Sequence, residues 1–168
     1  MTDERIGEEA LLSAVARLPR GSGVVFRHYS IPVSQRRALF VRVRRLTRRR
    51  GLMLLLAGDP ALVRRWGADG WHGRAAARGV IRSAPVHDRR ELRHAISTRA
   101  NLVFVSPIFP TRSHPGAPVL GTMRFAALAA FAPMPVIALG GMTPRRARAL
   151  TPLGAYGWAA IDALALSR

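Results

Sequence analysis

The 168-residue sequence contains no cysteine and no lysine, and both absences narrow the chemistry open to it. Without cysteine there are no disulfide bonds, no thiolate zinc sites and no thiol nucleophile, a composition that suits the cytoplasm, where we expect the protein. Without lysine there is no Schiff-base catalysis and no phosphate site built on an ammonium group. No run of about 18 apolar residues occurs, so we expect no membrane span. The acidic N-terminal residues MTDERIGEEALL do not resemble a secretory signal.

Acidic residues are also scarce: 9 aspartates and glutamates stand against 27 arginines, giving a net charge of +18. Such a surface attracts phosphates, nucleic acids or anionic membranes. Eight arginines fall in SQRRALFVRVRRLTRRR, where Leu39, Val43 and Leu46 repeat at helical spacing, so these arginines are most simply a solvated helix face. A nucleic-acid stripe is the alternative, but no aromatic residues alternate with the basic ones. We therefore favour small phosphorylated ligands over nucleic acid only in combination with the motifs described below, expect no membrane partner, and leave a homo-oligomer open.

Apolar segments of strand length alternate with helix-like segments along the chain, which we interpret as one domain covering residues 1–168. The predicted strands are Val24–Tyr29, Leu52–Ala57, Gly70–His72, Val80–Ala84, Leu102–Ser106, Pro135–Leu139 and Tyr156–Ile161. The predicted helices are Gly7–Leu18, Ser34–Arg49, Pro60–Trp66, Asp88–Ser97, Gly121–Phe131 and Pro144–Leu150. Because the strands are too apolar to have a wet face, this order predicts a parallel sheet covered by helices.

Three of the predicted helices begin with recognisable capping residues. Ser34 is expected to cap the basic helix, and Thr143 precedes a proline at the first helical position. Asp88 stands three residues before Glu91, a spacing close to that of a capping box.

Two architectures fit a parallel sheet of this kind: a doubly wound open sheet and a (β/α)8 barrel. In a barrel, functional residues collect where the strands end. The polar residues of interest follow predicted strands, at positions 27–29, 58–59, 72, 87, 106–118, 140–141 and 162. Asp59 precedes a proline at a helix start, so it fits either a metal ligand or a helix N-cap. His72 and His87 are lone histidines at strand ends, which are more often structural than catalytic, and their separate strands leave a metal pair open only as a weak alternative.

The segment VIALGGMTP is the sharpest single candidate for a phosphate site. A strand ends in Gly140 and Gly141, and a capped helix follows at once. Backbone N–H groups in such a position can bind a phosphate, helped by the helix dipole. The alternative is that the two glycines only make a tight turn.

Four segments of the sequence carry a resemblance to a known family. FVSPIFPTRSHPGAPVLG, MPVIALGGMTP and GAYGWAAIDAL, together with GADGWHG, resemble the motifs of the thiamine-phosphate synthase / thiazole tautomerase family in order and spacing. The resemblance covers residues 21–162 and implies a (β/α)8 barrel. MTDER resembles the tail of the family's first strand, and IDALALSR leaves a stub of the last helix. We therefore expect an incomplete first strand and a short last helix.

The resemblance implies a reaction between a pyrimidine diphosphate and a thiazole phosphate. Diphosphate leaves first, and the thiazole nitrogen captures the resulting pyrimidine carbocation. This chemistry needs cationic donors for the leaving charge, and magnesium held by carboxylates and diphosphate oxygens. Arg27 matches the family arginine expected to act on the diphosphate, whereas Tyr29 replaces a lysine. Asp59 matches a magnesium ligand, but Gly58 replaces the neighbouring asparagine, and no second carboxylate follows WHG, so only weak magnesium binding is expected.

The resemblance also implies which residues bind the phosphate of the thiazole. Thr111 is retained, Ser113 replaces a threonine, and His114 replaces the loop lysine, so that His114 joins Arg27 as a candidate catalytic residue. The alternative for His114 is an ordinary solvated loop residue. Gly140, Gly141 and Ile161 complete the predicted phosphate site.

Other positions depart from the family pattern. Asp162 takes the position of a serine near the product phosphate, where its charge would repel. Pro85 replaces a serine, and Pro107 replaces the histidine of the tautomerase branch. The sequence therefore leaves two hypotheses: a divergent synthase, and a catalytically degenerate member that binds a phosphorylated thiazole or thiamine ligand in a regulatory or accessory role.

Overall fold

A computed structural model of the protein describes residues 1–76, 79–111, 116 and 118–161. Within them, short strands alternate with helices. The strands are β1 (Gly23–Phe26), β2 (Met53–Ala57), β3 (Gly70–His72), β4 (Ile81–Val86), β5 (Leu102–Val105), β6 (Val136–Leu139) and β7 (Gly157–Ala159). The helices are α1 (Glu8–Arg17), α2 (Val33–Arg50), α3 (Ala61–Trp66), α4 (Arg89–Ser97), α5 (Gly121–Phe131) and α6 (Pro144–Leu150), with a 3₁₀ turn at Thr151–Leu153. Every predicted element is present, with ends that differ by at most three residues.

The strands form a single parallel sheet in which each strand pairs with its neighbours in sequence. The sheet curls into a half-barrel of the (β/α)8 type, which confirms the predicted fold class. Because all strands run in one direction, they all end at the same edge, called here the carboxyl edge. None of the helices in the described ranges is long and apolar enough to cross a membrane.

The N-terminal residues lie between the first and last strands of the sheet. The backbone N–H of Thr2 donates to the carbonyl of Val25 in β1 at 2.9 Å. The amino group of Met1 donates to the carbonyl of Ala160, just beyond β7, at 3.0 Å. Residues 1–22 contain no strand, as expected from an incomplete first strand. Met1 and Thr2 thus bond to backbone carbonyls at the two outer strands of the sheet, which would otherwise present unpaired groups.

Apolar side chains pack on both faces of the sheet, as the absence of a wet face predicted. The interior of the half-barrel is filled by every second strand residue, including Val25, Leu55, Ala57 and Phe104. On the outer face, one cluster packs α1 to α3 against β1 to β3, and a second packs α4 to α6 against β4 to β6. Strand alternation therefore decides which side chains point into the barrel.

Two of the three predicted helix caps are confirmed. The Asp88 carboxylate accepts the N–H of Glu91 at 2.8 Å, and the Thr143 hydroxyl accepts the N–H of Arg146 at 3.3 Å. The expectation for Ser34 is wrong. Helix α2 begins at Val33, after an extended Pro32, and has no side-chain cap. Ser34 is therefore already inside the first turn.

Gly70, in the segment GADG, begins β3 where the backbone of β4 lies very close. A Cβ atom at Gly70 would lie 2.4 Å from the carbonyl oxygen of Ile81 and 2.7 Å from Leu55 Cδ2. We expect Gly70→Ala to lower the free energy of unfolding by about 1–3 kcal/mol, the usual cost of overpacking. Denaturant unfolding measures it. Gly23→Ala, also at a strand start, is the control, because its Cβ would meet Met53 at an ordinary 3.6 Å. Equal stability of the two variants would contradict the packing argument.

Candidate functional site

Most of the predicted site residues lie at the carboxyl edge. Arg27 directly follows β1, Gly58 and Asp59 follow β2, and Gly140 and Gly141 follow β6. Ile161 lies two residues beyond β7 and lines a cavity of about 50 Å³ next to α1, with Met1 and Ala160. Ser113, His114 and Asp162 lie outside the described residues, so their roles stay predictions.

Arg27 is fixed by a hydrogen bond from its backbone, so its guanidinium is available to bind a ligand. Its N–H donates to Thr2 Oγ1 at 2.9 Å, and its Cζ lies 5.9 Å from the centre of the exposed Tyr29 ring. The positive charge of Arg27 helps to lower the pKa of His72 inside the barrel. Arg27 therefore contributes a positive potential at the carboxyl edge, where a phosphate would be attracted.

His28, which follows Arg27, has a structural role. The side chain is buried, its Nδ1 lies 3.0 Å from Thr2 Oγ1, and its ring stacks on Phe26 at a centroid distance of 4.9 Å. Burial lowers the pKa of His28, so the imidazole stays neutral near neutral pH. This residue packs the start of the chain against β1.

Asp59 acts as a cap for the short helix α3. Its Oδ1 accepts the backbone N–H of Ala61 at 2.9 Å. This contact supports the N-cap interpretation, although the exposed carboxylate remains available as one metal ligand. Among the described residues, no three His, Asp or Glu side chains converge as a metal-binding group.

His72 and His87 have different partners. His72 is buried inside the barrel, with Nδ1 2.8 Å from Ser83 Oγ and its ring edge-on to Phe104. His87 lies at the surface, where its Nδ1 is 2.7 Å from Glu91 Oε2. Each imidazole is thus engaged by its own neighbours, in agreement with structural roles.

Burial of His72 makes stability depend on pH. Burial, and then the charge of Arg27, lower its pKa from 6.5 to about 4. Between these two values the unfolded chain binds the proton more readily, so the stabilisation is complete above about pH 6.5 and is lost as pH falls towards 4. We expect the free energy of unfolding to drop by about 2 kcal/mol between pH 7 and pH 5 from this residue alone.

Denaturant unfolding at the two pH values measures this effect. His72→Asn keeps a group that can bond Ser83 but cannot titrate, so it should flatten the pH dependence. His94→Asn, on the exposed face of α4, is the matched control for replacing an imidazole with an amide. An unchanged slope in His72→Asn would refute this assignment.

Gly140 and Gly141 make close contact with the loop that follows β5. Their φ angles are +96° and +61°, in the left-handed region that favours glycine. A Cβ at Gly140 would lie 2.7 Å from Pro107 Cα, and one at Gly141 would lie 2.4 Å from the carbonyl oxygen of Pro110. The tight-turn interpretation therefore accounts for both glycines, while phosphate binding by their N–H groups stays a prediction.

Two polar residues, Thr111 and Arg146, lie near Gly141. Thr111 follows Pro110, whose carbonyl approaches Gly141. Arg146, in the first turn of α6, donates from Nη1 to the Gly141 carbonyl, and its Cζ lies 4.4 Å from the centre of the Phe109 ring. Sequence reasoning missed Arg146. The sequence signal that could have identified it is the arginine pair at 145–146, which follows the two glycines closely at the predicted phosphate site.

Arg36 is a second residue that the sequence analysis missed. It was counted among the solvated arginines of α2, but it is buried, with an exposed fraction of 8%. Its guanidinium donates to the carbonyls of Arg27 and Ala57 at 2.9 and 2.6 Å. The chain therefore has two arginines, Arg27 and Arg36, where β1 and β2 end.

Comparison with known proteins gives a consistent result over the whole chain. The family model described as thiamine monophosphate synthase matches residues 1–164. A thiamine-phosphate synthase of Salinispora arenicola is 33% identical, over 98% of this chain and 86% of the relative. A thiamine-phosphate synthase of Methylococcus capsulatus is 32% identical, over 98% of this chain and 80% of the relative.

Solved structures show the same architecture. The thiamine phosphate pyrophosphorylase of Pyrococcus furiosus superposes with a TM-score of 0.85, covering 99% of this chain and 86% of that one, at 22% sequence identity. At that identity the likeness concerns the fold.

Proposed function

Because the chain belongs to the thiamine monophosphate synthase family, we propose that it couples a hydroxymethylpyrimidine diphosphate to a thiazole phosphate in thiamine biosynthesis. The bond between the pyrimidine methylene carbon and the diphosphate oxygen breaks, and both electrons stay on the diphosphate. The lone pair of the thiazole nitrogen then forms the new C–N bond. The products are thiamine phosphate and diphosphate, and no oxidant or reductant is needed.

The observation that carries the proposal is the placement of positive charge at the carboxyl edge of a family-type barrel. Arg27 lies where β1 ends, and its positive charge adds to the effect of burial in lowering the pKa of His72 inside the barrel. A departing diphosphate develops negative charge that a fixed guanidinium stabilises. Arg27 would thus hold the diphosphate and stabilise it as it leaves.

The thiazole phosphate would bind on the other side of the carboxyl edge. The N–H groups of Gly140 and Gly141, the hydroxyl groups of Thr111 and Ser113, and the backbone of Ile161 are the proposed donors. His114 would add a positive charge when protonated. Arg146 next to Gly141 supports an anion at this end.

The described residues do not by themselves fit a protein-held magnesium site. Asp59 offers one carboxylate, and its Oδ1 is already engaged by Ala61. Asp3 is paired with Arg5, and Glu4 accepts the N–H of Ser30. Magnesium prefers octahedral coordination by oxygen and binds proteins through one or two carboxylates together with substrate phosphates. We therefore propose that any magnesium requirement depends mainly on the diphosphate substrate.

We predict weak magnesium binding by the protein without substrate. One carboxylate should give a dissociation constant well above the micromolar values of dedicated sensor sites. Isothermal titration with magnesium chloride measures it. Asp59→Asn is the matched variant, because asparagine keeps the cap on α3 but removes the charge. Binding at micromolar level or tighter, lost in Asp59→Asn, would overturn this prediction.

The proposed reaction is tested by mixing the two precursors with magnesium and measuring thiamine phosphate. Arg27→Met should abolish most of the product, because the guanidinium proposed to stabilise the diphosphate is gone. The variant should still fold, since the hydrogen bond from Arg27 to Thr2 uses only its backbone N–H. Arg37→Met, on the exposed face of α2, is the control and should retain the parent rate. Absence of product with the parent protein would reject the synthase proposal.

A second candidate function is a binding protein for phosphorylated thiazole or thiamine ligands. It is favoured by the presence of Tyr29 and Gly58 at the positions where the family pattern has a lysine and an asparagine. Tight binding of thiazole phosphate without turnover would support this alternative. In either case we propose a small phosphorylated ligand and a cytoplasmic location, and a homo-oligomer stays a prediction.

A further inference from the structure

Two arginines in the described ranges are buried, and their guanidinium groups have different hydrogen-bond partners. Arg82, with an exposed fraction of 1%, donates to the carbonyls of Gly73, Ala95 and Thr98 and to the Thr98 hydroxyl. These acceptors connect the end of β3 to the C-terminal end of α4. Arg82 therefore makes a structural connection through its Nη1 and Nη2 groups, although its buried Nε has no hydrogen-bond partner among the described residues.

Arg36 has fewer acceptors than Arg82. Nε donates to the Arg27 carbonyl and Nη2 to the Ala57 carbonyl, whereas Nη1 has no hydrogen-bond partner among the described residues. The guanidinium lies among three rings, with Cζ 5.3 Å from the centre of Trp66, 5.6 Å from Tyr29 and 5.8 Å from Phe26. One donor group of a buried cation is thus left unused at the carboxyl edge.

The charge of Arg36 is also without a close counter-ion. No carboxylate in the described ranges lies within 4.0 Å of it, and the neighbours that oppose the effect of burial on its pKa are Tyr29 and then Glu4, whose Oε1 is bonded to Ser30. Burial lowers the pKa of Arg36, which shows that its surroundings disfavour the charge. A bound anion would offset this cost, because buried charges are ordinarily paired.

The unused donor lies beside Gly58. A Cβ atom built at Gly58 would lie 3.7 Å from Arg36 Nη1 and 3.7 Å from the Tyr29 ring. The Gly58 carbonyl is already bonded by the indole N–H of Trp71 at 2.9 Å. These are ordinary contact distances, so the guanidinium lies directly against the backbone of Gly58, where β2 ends.

On these grounds we propose that Arg36 is the second guanidinium of the diphosphate site, donating from Nη1 to an oxygen of the diphosphate that Arg27 also holds. The inference rests on the proposed function for the identity of the anion. A buried guanidinium is fixed before the anion arrives, so its hydrogen bond is formed with little loss of side-chain freedom. Arg36 would thereby replace part of the positive charge that the missing lysine would have supplied.

The test is isothermal titration with inorganic diphosphate, which needs no turnover. Arg36→Met should raise the dissociation constant for diphosphate by about 10- to 100-fold, the usual effect of losing a charged hydrogen bond. Arg36→Lys, which keeps a cation, should recover part of the affinity. Arg37→Met, one residue along and exposed, is the control and should bind as the parent does.

A purely structural Arg36 gives a different result. In that case Arg36→Met would lower the melting temperature but leave diphosphate affinity unchanged, and the proposal would be overturned. If Arg36→Met does not fold, the Nε resonance of Arg36 in the parent protein decides: it should shift on adding diphosphate, and no shift would reject the proposal. Diphosphate binding through Arg36 without synthesis of thiamine phosphate would reject only the proposed reaction.

Discussion

Replacing Gly141 with valine is expected to abolish binding of thiazole phosphate, with a loss of about 100-fold or more in affinity. A Cβ at Gly141 would lie 2.4 Å from the Pro110 carbonyl oxygen and 2.9 Å from Phe109 Cβ. The valine would therefore push away the loop that carries Thr111, in addition to blocking a ligand from the backbone. Isothermal titration with thiazole phosphate measures the loss.

Gly51→Val is a matched control for backbone strain. Gly51 has a φ of +63°, almost equal to the +61° of Gly141, but no described atom apart from its chain neighbours lies within 4 Å of its Cβ position. The left-handed conformation should lower the stability of either variant by roughly 1–2 kcal/mol. Only Gly141→Val should lose the ligand. Unchanged thiazole phosphate affinity in Gly141→Val would remove Gly141 from the site, and Gly141→Ala repeats the test with a milder change.

The elements at the carboxyl edge could be predicted because their signals are local. Gly140 and Gly141 end an apolar strand directly before a Thr-Pro helix start, and the structure has β6 and α6 on either side of them. Asp88 was identified as a cap by its spacing from Glu91, and the predicted contact is present. Such features depend on residues that are neighbours in sequence, so they can be recognised without knowing the tertiary fold.

The burial of Arg36 could not be predicted, because it depends on tertiary contacts. In sequence it is one of eight arginines in α2; helical spacing places it on the face of Leu39 and Val43, but only the tertiary fold supplies buried acceptors for its guanidinium. It becomes buried because its position on α2 faces the ends of β1 and β2, where the carbonyls of Arg27 and Ala57 accept its hydrogens. The same limitation explains why the contact of Gly141 with Pro110, residues 31 positions apart in sequence, was not foreseen.

Restoring lysine at positions 29 and 114 should raise the rate of thiamine phosphate synthesis. Each preorganised donor that stabilises a developing negative charge is worth about 100- to 1000-fold in rate. Tyr29 lies in a suitable place for such a donor, with its ring centre 5.9 Å from Arg27 Cζ and 5.6 Å from Arg36 Cζ. A lysine there would add a third cation to the proposed diphosphate site. His114 and Asp162 enter from the resemblance, since they lie outside the described residues.

The pH profile separates the contribution of His114 from that of Tyr29. A histidine becomes positively charged as pH falls towards 6, whereas lysine stays charged from pH 6 to 8. Residual activity of the parent should therefore rise as pH falls, and Tyr29→Lys with His114→Lys should both increase the rate and flatten this profile. Asp162→Ser should increase the rate further, because the resemblance implies that it removes a negative charge near the product phosphate.

Two control variants isolate the effect of charge at position 29. Tyr29→Met removes the ring without adding a cation, and it should cost about 0.5–1 kcal/mol of cation–π stabilisation without increasing the rate. Tyr156→Lys adds the same cation at the other tyrosine, which is 77% exposed, and should leave the rate unchanged. A parent protein that already works at the full rate of a member with every motif residue, independent of pH between 6 and 8, would show that these departures do not matter. If all three restorations leave the chain inert, the binding-protein function is favoured, because the carboxyl edge would then hold its anions without completing the transfer.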